Sequence, residues 1–306
     1  MYWLFFIVII LLLIIISPLV LNRIPDIKTP LPPAPDPARI MKGAEDFYKK
    51  GKSKYLFLFI HGYNDSPFQM KPLADALYRS GHSVYGILLP GHGTKIEDMV
   101  HVRYHHWYEH VENTLQMILK KKKKIFLVGQ SLGASLSLHL AGNNPDLPLQ
   151  GIIAVSSPLH MTDFINGKLI IHKPYLLYAG LIRIFSKITS VPDRTTHQDI
   201  CPYVGYGKNY AMANLHSFIK ALPAIRKAIP EVKVPLLSIM STNDKTVSFE
   251  DQSYLHRKAG STFKKACATT IRENKTTRHL LITHKETTKF VIQCTKDFIR
   301  DCTELK

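Results

Sequence analysis

The stretch "IFLVGQSLGASLSLHL", residues 125–140, changes period in its middle. Ile125 to Val128 are four successive apolar residues, the pattern of a short strand buried on both faces. After Gly129 the apolar positions become Leu132, Leu136 and Leu140, a helical spacing. Between them stands Gly129-Gln130-Ser131-Leu132-Gly133, a serine with a glycine two places before it and two places after. A strand that turns straight into a helix at a serine holds that serine in strained backbone, and the flanking positions must lack side chains. The turn lifts the Ser131 hydroxyl above the sheet edge and points the helix N-terminus at negative charge developing there. The spacing predicts a nucleophile, and a merely tight turn is the weaker reading.

A serine hydroxyl is a poor nucleophile without a base, and the base needs an acid to orient it. This turn predicts the chain order serine, acid, histidine. Asp244 lies in "STNDKT", just past the apolar stretch "VPLLSIMS" (234–241), at the strand end where catalytic groups gather in open α/β sheets. The bland alternative for Asp244 is an aspartate that only shapes its own turn. His279 follows the last expected strand in "TTRHLLIT". A tetrahedral intermediate also needs two backbone N–H donors. Leu132, directly after the serine, should supply one. Tyr63, in His61-Gly62-Tyr63 after the strand "YLFLFI" (55–60), should supply the other, which leaves His61 to hold the loop.

Outward from this centre, strands and helices alternate. Strands are expected at 55–60, 83–90, 125–128, 151–156, 234–241 and 264–271. Ser66-Pro67-Phe68-Gln69 combines a capping box with proline at the first helical position and should open a helix that stops at Gly81. Trp107, Val111, Leu115 and Ile118 form one apolar stripe on a helix over about 103–119. Alternation of this kind implies crossover connections and a mostly parallel sheet flanked by helices.

Together these segments resemble the α/β-hydrolase superfamily, and within it the carboxylesterase and monoacylglycerol lipase branch. "LFIHGYNDSPFQMKPLADAL" is similar to that branch's oxyanion segment and "LLPGHGT" to its loop with a glycine-flanked histidine. "VGQSLGA", "STNDKTVS" and "HLLITHKE" resemble its nucleophile, acid and histidine segments. The resemblance covers about residues 50–156 and 232–302, and it implies a hydrolase domain over 40–306. Residues 157–231 match no pattern and fall where the family inserts a variable cap. Thr283 stands where the family's histidine loop often has an acidic residue. The resemblance implies no cofactor, and a serine at position 131 counts against dehalogenase or epoxide-hydrolase chemistry.

Two histidine patterns compete with this reading. His106-x-x-Glu109-His110 has the spacing of an inverted zinc-protease motif, but its helix already carries a full apolar stripe and no second glutamate helix follows. His284 lies five residues beyond His279. Thr283-His284-Lys285-Glu286 reads as a capping box, with Thr283 as N-cap and His284 as first residue of a helix to about 302. That helix should point His284 away from the serine. The glycosylation sequons at Asn64 and Asn274 border the expected active-site loops, where glycans would obstruct them.

The chain has 306 residues, 45% of them hydrophobic, enough for one sizeable core. Its formal net charge of +17 fits an anionic neighbour, yet no nucleic-acid-binding module is present, so no nucleic acid is expected. The Lys120 to Lys124 run closes a helix, where cations complement the dipole. Four scattered cysteines without a CxxC pair argue against a zinc module or disulfide scaffold. "MYWLFFIVIILLLIIISPLVL" carries no charge and lacks the basic start and clear cleavage site of a signal peptide. Residues 1–22 are therefore expected to form an uncleaved transmembrane anchor. Arg23, Lys28, Arg39 and Lys42 after it place the catalytic domain of a single-pass protein on the cytoplasmic side. "IPDIKTPLPPAPDP", within a linker over 23–39, should be an extended spacer of about 40 Å.

The expected activity is hydrolysis of a small acyl ester or lipid substrate by Ser131, Asp244 and His279 through an acyl-enzyme. The rivals are a thioesterase or acyltransferase on the same residues and a non-catalytic tethered binding protein, which would need no complete triad.

Overall fold

In the computed structural model, which describes residues 2–21, 24–121, 123–165, 168–171, 174–191 and 197–304, the chain opens with helix α1 (Tyr2–Leu21). The first part of the sheet follows as β1 (Phe47–Lys49), β2 (Tyr55–Ile60), α2 (Lys71–Arg79), β3 (Ser83–Ile87), α3 (Ile96–Met99), α4 (Tyr104–Leu119), β4 (Lys124–Gln130), α5 (Leu132–Asn143) and β5 (Leu149–Val155). Two antiparallel strand pairs and three helices are then inserted: β6 (Thr162–Ile165), β7 (Lys168–Ile171), α6 (Pro174–Leu177), α7 (Ala179–Phe185), β8 (Ile188–Ser190), β9 (Asn209–Ala211) and α8 (Met212–Ala228). The sheet resumes with β10 (Leu236–Ser241), α9 (Glu250–Lys258), β11 (Lys264–Thr269) and α10 (Thr288–Glu304).

The main sheet runs β1-β3-β2-β4-β5-β10-β11, parallel throughout except where β1 pairs antiparallel with β3. Helices on both faces explain why all six residues of β2 are buried. Tyr55, Phe57 and Phe59 face α2 and α10, among Leu73, Leu77 and Phe298. Leu56, Leu58 and Ile60 face the other layer, among Trp107, Leu115 and Leu136. The expected strands are all present, with ends shifted by a few residues. β1 was not expected, because three half-exposed residues carry no alternation long enough to read.

Ser66 N–H donates to Gln69 Oε1 at 3.1 Å, as the capping box requires. The first turn, Pro67–Met70, is nevertheless 3-10, and α2 proper starts at Lys71. Where the insertion leaves β5, Asp251 of α9 clamps the chain. Its Oδ2 accepts from Leu159 and His160 N–H at 2.8 and 3.1 Å, while His160 Nδ1 donates to its Oδ1 at 2.6 Å.

The N-terminus departs from expectation. The apolar run is helical, but among the described residues no helix is long and apolar enough to cross a membrane. The expected transmembrane anchor is therefore corrected, and with it the single-pass membrane placement with a cytoplasmic domain and the membrane as partner. Pro18 cannot donate to Ile14 O, and the Ser17 hydroxyl does so instead at 2.8 Å. Pro18 is buried, and α1 runs against α7. A composition window counts apolar residues and does not register that the last turn belongs to the domain.

The proline segment is also not a free spacer. Lys220 Nζ of α8 donates to Ile24 O at 2.7 Å and to Asp26 Oδ1 at 2.5 Å. His106 Nδ1 accepts Arg103 N–H at 3.0 Å, which leaves its Nε2–H facing Thr29 O at 3.0 Å. The first histidine of the apparent zinc motif thus braces the start of α4 against this segment. Met1, Asn22, Arg23 and Lys122 of the expected anchor, linker and lysine run lie outside the described residues, as do 166–167, 172–173 and 192–196 of the expected cap.

Candidate active site

Ser131 has φ 53° and ψ −119°, a left-handed conformation that L-residues avoid. Its N–H donates to Val155 O at 2.8 Å, and its own carbonyl accepts from Ala134 N–H at 2.9 Å inside the first turn of α5. One end of the serine is therefore tied to the neighbouring strand and the other to the helix. Both glycines are required by contact. A Cβ on Gly129 would lie 2.3 Å from the Gly133 carbonyl, and one on Gly133 would lie 2.0 Å from Ile60 O. No side chain fits where β2, β4 and α5 meet. That close approach is the reason for the G-x-S-x-G spacing.

The structure brings Ser131, Asp244 and His279 together from three separate loops. His279 Nε2 lies 2.9 Å from Ser131 Oγ, and His279 Nδ1 lies 2.7 Å from Asp244 Oδ2. A carboxylate can only accept, so Nδ1 carries the proton and Nε2 is left to accept the serine O–H. Asp244 Oδ1 accepts from Thr246 and Val247 N–H at 2.7 and 3.1 Å. The aspartate thus shapes its own turn with one oxygen and faces the imidazole with the other, so the two readings of Asp244 both hold geometrically. The His279 carbonyl accepts from Ser156 Oγ at 3.0 Å, and Arg278 before it takes φ 59° while its Nε donates to Glu273 O at 2.7 Å.

Leu132 is the first residue of α5, so its N–H is among those an α-helix leaves without an internal acceptor. Tyr63 follows Gly62, whose backbone runs beside the nucleophile: a Cβ there would lie 3.2 Å from Ser131 Cβ. His61 holds this loop, as expected of it. Its Nδ1–H donates to Gly62 O at 2.8 Å and its Nε2 accepts Leu89 N–H at 3.0 Å. Burial first, then neighbouring His92, push its pKa well down, so the ring is neutral.

Ser131 and His279 open onto a narrow cleft of about 80 Å³. Pro158, Met161, Leu176, Leu215, Phe218 and Val247 form most of its apolar wall. Leu176 belongs to the apolar run 175–185, which reaches the cleft there, while Ile184 and Phe185 are exposed. A hydroxyl with an imidazole behind it, facing an apolar slot, can transfer an apolar acyl group.

His284 is kept apart from the serine, but not by the expected helix start. α10 begins at Thr288, so His284 is not helical and Thr283 is not its N-cap. His284 is buried. Its Nδ1 accepts Glu286 N–H at 3.2 Å and its Nε2–H donates to Glu273 Oε1 at 3.1 Å. The Glu286 carboxylate, expected to cap the helix, accepts from Arg272 and Glu273 N–H instead, at 2.8 and 3.1 Å. Burial would raise the Glu273 pKa, but hydrogen bonds from Thr276, Lys275 N–H and His284 outweigh it and hold it at about 2. Thr283 Oγ1 lies 3.2 Å from Cys201 Sγ, so the histidine loop leans on the insertion where the resembling family often has an acid. Sequence reasoning missed Asn214, a fully buried amide of α8 bonded to the Tyr63 hydroxyl at 2.5 Å. The only signal was a polar residue on the buried side of an amphipathic helix.

Over residues 51–282 the chain matches the Hydrolase_4 family, described as serine aminopeptidase, S33. The chain belongs to that family. This Hydrolase_4 member is 35% identical over 128 residues to a thermostable monoacylglycerol lipase of Bacillus sp. (strain H-257), an alignment covering 42% of this chain. It spans 50% of that relative's length. Among solved structures it is similar to one from the study of LipS and LipT, two metagenome-derived lipolytic enzymes. That match has a TM-score of 0.73 and 22% identity, over 86% of this chain and 99% of the other. It is also similar to the Paleococcus ferrophilus monoacylglycerol lipase, with a TM-score of 0.66 and 16% identity over 83% of this chain and 98% of that one. Structural likeness at such identities carries the fold, and the fold of this Hydrolase_4 chain is the α/β-hydrolase fold.

Proposed function

We propose that this Hydrolase_4 protein is a serine hydrolase of carboxylic esters, acting on esters with an apolar acyl chain such as monoacylglycerols. The observation that carries this reading is the hydrogen-bonded line from Asp244 through His279 to Ser131 at the floor of an apolar cleft. Ser131 Oγ attacks the acyl carbon while His279 Nε2 takes its proton, and the imidazolium returns that proton to the leaving alcohol. Asp244 stabilises the imidazolium and fixes its tautomer. Tyr63 and Leu132 N–H bind the oxyanion. Water, deprotonated by His279, then releases the acid from the acyl-enzyme. No cofactor takes part in this sequence. The hydrolase domain takes in residues 40–306, with 157–231 as its cap.

The test is turnover on a chain-length series of glycerol and alkyl acyl esters. Aminoacyl anilides serve as the contrast, because the family description names aminopeptidases. Medium to long acyl esters should be preferred over acetyl esters and anilides. Faster cleavage of the anilides would overturn the ester reading. Acyl transfer to added alcohols or thiols in excess of hydrolysis would favour the acyltransferase or thioesterase alternative.

A further inference from the structure

Tyr63 lines the cleft beside Ser131, and its hydroxyl reaches the inserted segment. Its hydroxyl donates to Asn214 Oδ1 at 2.5 Å, with Ala211 O at 3.1 Å as a second acceptor. Asn214 Nδ2 in turn donates to Met99 O at 3.0 Å, at the end of α3. One buried carboxamide thus joins the loop after β2, the start of α8 and α3. The Tyr63 ring is fixed on two sides. It stacks on Tyr210 of β9, with centroids 5.9 Å apart and planes at 14°, and stands edge-on to Trp107 of α4 at 5.9 Å and 85°. The backbone of the same loop lies against the nucleophile at Gly62.

We infer that Tyr63 and Asn214 are positioning residues, through which the insertion sets the direction of the Tyr63 backbone N–H at the oxyanion. The inference rests on the triad and oxyanion reading proposed above. Next to a glycine the loop backbone has latitude, and an oxyanion donor is effective only within about 2.7–3.1 Å of the oxygen. Tyrosine has two side-chain torsions, so fixing its ring and hydroxyl leaves its Cα and amide little freedom. α8 also supplies Leu215 and Phe218 to the cleft wall, one and four residues after Asn214. An acyl chain packed on those residues bears on the helical turn that holds Tyr63. Filling of the cleft and completion of the oxyanion hole are thereby coupled through α8.

Tyr63→Phe keeps the ring and removes the hydroxyl, and Asn214→Leu keeps the branched shape while removing the acceptor and the donor to Met99 O. For each, kcat and KM on one medium-chain ester are compared with the inhibition constant of an alkylboronic acid, whose tetrahedral adduct places an oxygen in the hole. Each variant should lose about tenfold in kcat, the worth of one well-placed hydrogen bond, with KM changed less than about twofold. The boronic acid should weaken by the same factor, and the double variant should be about as slow as the slower single one. Tyr63→Phe with undiminished kcat, a loss confined to KM with unchanged boronic acid affinity, or losses that multiply would overturn the inference. Should Asn214→Leu fail to fold, Tyr63→Phe decides alone, because its ring packing is preserved. A wild-type protein that a fluorophosphonate does not label, or an active Ser131→Ala variant, would sink the triad reading itself. A labelled wild type with an unaffected Tyr63→Phe sinks only this inference.

Discussion

Asp244 and His279, thirty-five residues apart in sequence, share a hydrogen bond of 2.7 Å while the second oxygen of Asp244 closes its own turn on Thr246 and Val247. The acid is therefore pre-oriented by its loop before it meets the base.

That division of labour makes Asp244→Asn informative. The amide oxygen can keep the turn, but its NH₂ then faces Nδ1 and forces the tautomer with Nε2 protonated, which cannot accept from Ser131. Turnover should fall by about 10⁴ with the fold intact. Asp244→Ala should lose the same activity and, in urea unfolding, show a further loss of about 1–3 kcal/mol from the two orphaned amides. Equal stability of the two variants would mean that the turn bonds contribute nothing.

Ser131 offers a strain measurement. Ser131→Ala and Ser131→Gly both lack the nucleophile and should lose activity by about 10⁴–10⁶. They differ in the Cβ held at φ 53°. The glycine variant should be the more stable by about 1 kcal/mol, the strain relieved less the chain entropy that glycine adds to the unfolded state. Chemical denaturation of the pair measures it, and a more stable alanine variant would show that the turn is unstrained.

His279→Ala and His284→Ala should separate chemistry from support. The first should lower kcat by at least about 10³ with little change in stability. The second leaves the Glu286 amide and the Glu273 carboxylate short of a partner, so it should cost about 1–3 kcal/mol of stability. The burial of His284 makes this loss larger than a first helical position would give. If His284→Ala proves the more damaging to kcat at a temperature where both are folded, the assignment of the base is wrong.

Acid should destabilise the fold before the carboxylates titrate. His92, His139 and His216 are each pushed down to about 4, in every case chiefly by burial, which disfavours the imidazolium. Unfolded, each would titrate near about 6.5. Between those values the unfolded chain binds protons that the folded chain does not, so stability falls as pH drops from about 6.5 towards 4. The slope of unfolding free energy against pH near 5 should shrink by about one proton in His139→Gln. An unchanged slope would mean that His139 protonates freely in the folded protein.

The three residues that meet at the cleft were legible in the sequence because their placement depends on local rules. A serine between two glycines at a strand-to-helix change is dictated by sterics within a few residues, and the order of acid and histidine follows from the strands they terminate. The strands at 55–60 and 125–128 were equally legible, because burial on both faces makes an unbroken apolar run. Tertiary contact decided the rest. Thr283-x-x-Glu286 has the spacing of a cap, yet Glu286 turns to Arg272 and Glu273, and a buried His284 delays the helix to Thr288. The apolar N-terminal run has the composition of a membrane span, but Pro18 in its final turn is buried, and Asp26 after it pairs with Lys220 of α8. Asn214 is marked in the sequence only as a polar residue on the apolar side of its helix, and its role arises where α8 meets the Tyr63 hydroxyl, 151 residues away in the chain. Turn sterics and sheet burial act over a few neighbours and leave their trace in sequence, whereas a hydrogen-bond partner supplied by a distant helix is settled only when the chain has folded.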